Sequence, residues 1–242
     1  MSGASLSLRP TKRAKSKEQK PLFSSPPPNP RSRGRGVTLW PVSPSLVRPR
    51  PLARALGVMN TKLPVPHADC IDIASIQADF SKDRLHRYSL TLPFLGRTTG
   101  RKLLVVGQNP SEATEVIADK TIRYLELFVF QNLTQYDGIE MLNLYTRMDT
   151  KKKKTDVLDE LSDEKFEAAV TPNSDVLLVF GRLKNQQAYK FKNRATQLRK
   201  HLERANLYKL AIGTNYAPHP GNPRILYSNF KVVCDAYLFN DL

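Results

Sequence analysis

Four short apolar runs, separated by helix-length stretches, constrain this chain more than any other feature. They are Lys102-Leu103-Leu104-Val105-Val106-Gly107, Ile139-Glu140-Met141-Leu142-Asn143-Leu144, Asp175-Val176-Leu177-Leu178-Val179-Phe180-Gly181 and Tyr208-Lys209-Leu210-Ala211-Ile212-Gly213. Runs this short and this apolar read as strands buried on both faces. Between the first two, Asp119 caps a stretch over residues 120–133 that puts Ile122, Leu125, Val129 and Leu133 on one side, as an amphipathic helix requires. Helical stretches also follow the charged 151–154 loop up to Val170. Residues 185–205 read as a basic helix with Tyr189, Leu198 and Leu202 inward. Strands alternating with helices predict an α/β fold, three-layer α/β/α, with a mostly parallel four-stranded central sheet.

The flanks are less patterned. Residues 69–80 suggest a strand followed by a short helix. Tyr88-Ser89-Leu90-Thr91-Leu92 alternates as an edge strand would, and residues 227–238 suggest a last helix. Residues 1–58 differ in kind. They hold 12 of the chain's 38 Lys+Arg, one acid (Glu18) and 10 of its 18 prolines. So little apolar clustering does not repay the entropy of ordering, which predicts a disordered basic tail ahead of a single α/β domain at residues 59–242. The tail has three readings: Lys12-Arg13-Ala14-Lys15 as a short nuclear-import signal, a transit peptide whose prolines spoil the amphipathic helix, and, slightly favoured, an over-extended start ahead of Met59.

Several chemistries are disfavoured. No apolar run approaches the length of a membrane span, so no membrane partner is expected. Cys70 and Cys234 make neither a metal pair nor a disulfide framework, which fits a cytoplasmic protein, or a nuclear one if the basic tail is real. His67, His86, His201 and His219 have no ligand spacing, so no metal and no cofactor is expected.

Ligands of open parallel sheets bind beyond the carboxyl ends of the strands. Here the first strand ends in Gly107-Gln108-Asn109-Pro110-Ser111. The second ends at Asn143, with Tyr145 and Arg147 beyond it. The third ends in Gly181-Arg182, and the fourth in Asn215-Tyr216-Ala217-Pro218-His219-Pro220. These are the candidate site residues. Their amide, hydroxyl, imidazole and guanidinium groups suit a flat polar ligand or a phosphate. Each also has a plain reading: Asn109-Pro110 as a turn, Asn143 bonded to neighbouring backbone, Arg147 and Arg182 as surface charges, and residues 151–154 as a solvated loop, for which a phosphate contact is the sharper option. No carboxylate pair converges there, against two-carboxylate glycoside chemistry.

Taken in order, Gly107-Gln108-Asn109-Pro110-Ser111, Asp119-Lys120-Thr121-Ile122-Arg123, Met141-Leu142-Asn143-Leu144-Tyr145, Val179-Phe180-Gly181 and His219-Pro220 resemble the domain of unknown function 1643 family over about residues 85–235. The match departs at Pro223-Arg224, which follows His219-Pro220 where the family places Pro-Arg before it. The motif order is also similar, more distantly, to the uracil-DNA glycosylase superfamily. That likeness implies hydrolysis of an N-glycosidic bond. Asn109 would orient water, Asn143 would read an extruded base, and His219 would donate to the departing base. Tyr145 or Tyr216 would stack on the base. The expected function is therefore a nucleobase or nucleotide pocket, with nucleotide or nucleic acid as partner. Three readings stand: a glycosylase-like hydrolase, a non-catalytic nucleotide or nucleic-acid binding module, and a protein-interaction domain.

Overall fold

The structure is a computed structural model and describes residues 64–239. The basic tail, with its 12–15 segment and Met59, lies outside the described residues. In chain order, β1 (Gln77–Phe80) and β2 (Arg87–Pro93) precede β3 (Lys102–Gly107), α1 (Lys120–Asn132) and β4 (Gly138–Asn143). Then come α2 (Ser162–Ala169), β5 (Asp175–Leu178), β6 (Asn185–Gln186), β7 (Tyr189–Lys190), α3 (Phe191–Leu202), β8 (Asn206–Leu210), α4 (Pro223–Leu226) and β9 (Cys234–Ala236).

The main sheet has seven strands, not four, in the order β1-β2-β4-β3-β5-β8-β9. Its parallel centre is the expected quartet: β3 pairs with β4 and with β5, and β5 with β8. Antiparallel strands extend both margins, β2 and β1 on one side and β9 on the other. So β2 is an interior strand rather than an edge. The sheet is mixed because each added strand runs antiparallel to its neighbour; β1 and β2 are joined by a short turn, and β9 returns along β8 after the 211–233 segment.

Alternation along the central strands sorts their side chains onto two faces. Leu103 and Val105 of β3 join Ile122, Leu125, Phe128 and Val129 of α1 in one apolar cluster. Leu104 and Val106 join Phe166 of α2 and Phe191, Ala195, Leu198 and Leu202 of α3 in another. Helix α1 begins where its cap requires, with Asp119 Oδ1 accepting from the Ile122 amide at 2.7 Å.

Three flanking expectations are corrected. A 3₁₀ turn (Ile73–Ser75) precedes β1, reversing the expected strand-then-helix order. The basic helix starts at Phe191, because residues 185–190 fold into the β6–β7 hairpin. The helix expected over residues 227–238 does not form: α4 ends before it at Leu226, Asn229 and Phe230 take positive φ (51° and 60°), which helices exclude, and the chain then pairs along β8 as β9.

Candidate functional site

The order β4-β3-β5 means the chain leaves β3 in one direction and returns past it to β5. That reversal opens a crevice at the carboxyl ends of β3 and β5, where the loops part. A cavity of about 490 Å³ occupies it. Gly107, Gln108, Asn109, Pro110 and Ser111 line one wall, and Val179, Phe180, Gly181 and Arg182 the other. Asn143, His219, Arg87, Asp119, Thr121 and Lys152 close it.

Asn109, Asn143 and His219 are thus brought to one cavity from three loops far apart in sequence. Asn143 follows directly from register, since it is paired with Gly107 across β4 and β3. Only 6 % of it is exposed, and its Nδ2 has no hydrogen-bond partner among the described residues. Asn109 donates Nδ2 to the Asp149 carbonyl at 2.7 Å, which holds the residue against the 149–154 loop. Gln108 lines the cavity but is engaged within the protein. It donates to the Phe180 carbonyl at 2.5 Å and accepts from Lys152 Nζ, so it ties together the two walls and the lysine loop.

His219 stands on the rim. Its Nδ1 accepts from the Gly221 amide at 2.9 Å, so the neutral ring carries its proton on Nε2. Gly181, with φ +66°, backs the residue: a Cβ there would lie 3.3 Å from His219 Cβ. Crowding by these loops depresses the imidazole pKa below its ordinary value. Asp119 opposes that shift, and Lys152 adds to it. The ring is therefore a neutral donor at neutral pH.

Other expected residues sit elsewhere. Tyr145 is buried edge-on against Tyr189 and Phe191, and its hydroxyl accepts from the Lys190 amide at 2.9 Å. Arg147 is buried and ion-paired with Asp156. Neither reaches the cavity. Asn215 and Tyr216 line a neighbouring cavity of about 300 Å³ that shares Phe180, Gly181 and Arg182 with the first. Arg182 lies over the Tyr216 ring at 5.1 Å.

Sequence reasoning missed Arg87, and it read Asp119 as a cap alone. Arg87 is 1 % exposed and donates Nη1 to the Ala113 carbonyl at 2.6 Å. A charged residue opening an apolar alternating strand was its only signal. Among the described residues, no group of His, Cys, Asp and Glu is placed to hold a metal ion. No described helix is long and apolar enough to cross a membrane.

Fold and site together define a mixed-sheet α/β protein with a polar cavity at the carboxyl ends of its parallel strands. Residues 87–223 match the model of a family described as protein of unknown function, DUF1643, and the chain belongs to that family. No curated protein and no solved structure matches the chain, so the glycosylase likeness has no support from relatives.

Proposed function

We infer that this domain binds a nucleobase, presented in a nucleoside or nucleotide, in the cavity between the β3 and β5 loops. One observation carries the reading: the carboxamide of Asn143 is buried at the cavity wall with its Nδ2 unpartnered. A buried polar group without a partner is costly, so a site that keeps one is suited to a ligand that completes it. A carboxamide offers a donor and an acceptor side by side, as the hydrogen-bonding edge of a base requires. About 490 Å³ leaves room for a base and its sugar.

Hydrolysis of the N-glycosidic bond is the second reading, favoured by His219. Its fixed Nε2–H donor at the rim is suited to a base leaving with negative charge on its oxygen. Asn109 would then hold the water through Oδ1, since Nδ2 is already tied to Asp149. An amide is no strong base, so turnover by this route would be slow.

The test uses the full chain. Nucleosides and nucleoside monophosphates are titrated by calorimetry, and oligonucleotides carrying uracil or other altered bases are assayed for base release. Binding without release supports recognition alone. Release that disappears in Asn109→Ala and His219→Ala supports hydrolysis. Failure to bind any base-containing ligand sinks both readings and favours a protein-interaction role.

A further inference from the structure

Among the described residues three arginines are almost wholly buried, and they are not alike. Arg147 pairs with Asp156 and Arg194 with Asp163. Arg87, the most buried of the three, has no carboxylate partner among the described residues. Its Nε is buried without a hydrogen bond, and the side chain lines the cavity. A guanidinium taken out of water without a counter-charge is unfavourable, and proteins normally pair it. Burial has pushed its pKa down to about 10, with Asp119 and Glu115 opposing the shift.

Two further features stand beside it. Lys152 lines the same cavity from a backbone in the left-handed region, φ 55°, an unusual conformation for a lysine that clusters at functional sites. Its ammonium donates to Gln108 Oε1 and makes no ion pair among the described residues. The first turn of α1 contributes Thr121 and Ile122 to the lining; the Ile122 amide is taken by the Asp119 cap, and the Thr121 amide precedes the helix's own hydrogen bonds. Against Arg87, Lys152 and Arg182, the lining holds one carboxylate, Asp119, whose Oδ1 is engaged by the Ile122 amide.

We propose that the cavity contains a seat for a phosphate group, formed by Arg87 and Lys152 beside the first turn of α1, so that the ligand is a nucleotide rather than a nucleoside. This rests on the base-binding reading and adds the charged group the base carries. Besides the bond Nη1 makes to the Ala113 carbonyl, the guanidinium has further N–H donors to offer phosphate oxygens, while Asn143 is left to the base.

The experiment compares, by calorimetry on the full chain, a nucleoside with its 5′-monophosphate, with a dinucleoside whose one phosphate is internal, and with inorganic pyrophosphate. The monophosphate is expected to bind at least tenfold more tightly than the nucleoside. Arg87→Met should erase that difference and leave nucleoside affinity in place; because it also removes the donor to the Ala113 carbonyl, it is expected to lower the melting temperature by several degrees without unfolding the chain. Lys152→Met lies in a surface loop and reads the same seat should Arg87→Met fail to fold. A dinucleoside that matches the monophosphate assigns the seat to a strand phosphodiester; a weaker one assigns it to a free nucleotide. Equal wild-type affinities for nucleoside and monophosphate overturn the seat while leaving base recognition intact. Pyrophosphate binding lost in Arg87→Met, with no nucleoside or nucleotide bound, keeps the seat and overturns the base.

Discussion

A β carbon on Gly107 would lie 2.8 Å from Oδ1 of Asn143, closer than such atoms pack. The carboxamide therefore lies over the glycine, and the strand end must be bare for it to do so. Gly107→Ala is expected to displace Asn143, weaken nucleotide binding at least tenfold and cost about 1–3 kcal/mol through overpacking. Calorimetric titration and thermal melting read the two effects separately. Unchanged affinity would take Asn143 out of recognition.

Replacing Asn143 itself should separate binding from folding. Asn143→Leu keeps the branched outline at a somewhat larger volume and removes a buried donor that has no partner among the described residues. Stability should hold or rise by about 1 kcal/mol, while nucleotide binding disappears. A melting temperature lower by roughly 4 °C or more would mean that the carboxamide serves the fold instead.

The pKa of His219 lies below the ordinary 6.5, because burial disfavours its charged form. Base release that needs its Nε2–H in the neutral ring should then be flat from alkaline pH down to 6.5 and fall only below that. His219→Ala should reduce release about 100-fold or more, as loss of an oxyanion donor does elsewhere. Proton NMR titration of the ring tests the pKa directly, and a value above 6.5 would contradict the assignment.

His67 predicts a different pH response. Its Nε2 faces the Thr114 carbonyl at 3.0 Å and its Nδ1 faces Glu126 Oε1 at 2.5 Å, both deep in the protein. Burial works against the imidazolium, but Glu126 and the carbonyl outweigh it and raise the pKa above 6.5. A raised folded-state pKa gives stability that is fully present below 6.5 and is lost as pH climbs through the raised value. Thermal melts from pH 6 upward should show that loss in the wild type and not in His67→Phe. That variant leaves the buried Glu126 carboxylate with the Ala68 amide but without its imidazolium partner, and should be destabilised by about 3–5 kcal/mol in the acidic range.

The central quartet and α1 were legible in sequence because their signals are local. Apolar runs buried on two faces need no partner to be recognised, and Asp119 sits where the 3.6 periodicity begins. What was illegible depends on contacts made across the fold. Cys234-Asp235-Ala236 has no alternation, and it is a strand only because β8 offers an open edge. Arg87 lies at a slip in the β1–β2 register, between Asp79 and Phe80, where strand alternation cannot be counted through. Lys152 reaches the cavity through a left-handed backbone that no residue pattern announces. Tyr145 was expected at the rim, two residues past Asn143. Beyond the strand end the two-residue rhythm no longer holds, and the ring turns into the core.

The family match begins at Arg87 and ends at Pro223, whereas the sheet begins at Gln77 and ends at Ala236. Trimming the chain to the recognisable family segment would strip β1 from β2 and β9 from β8, baring a row of backbone donors and acceptors at each margin. Such fragments join edge to edge and precipitate. The folded unit is therefore wider than the segment that sequence comparison detects, and it takes in at least residues 77–236.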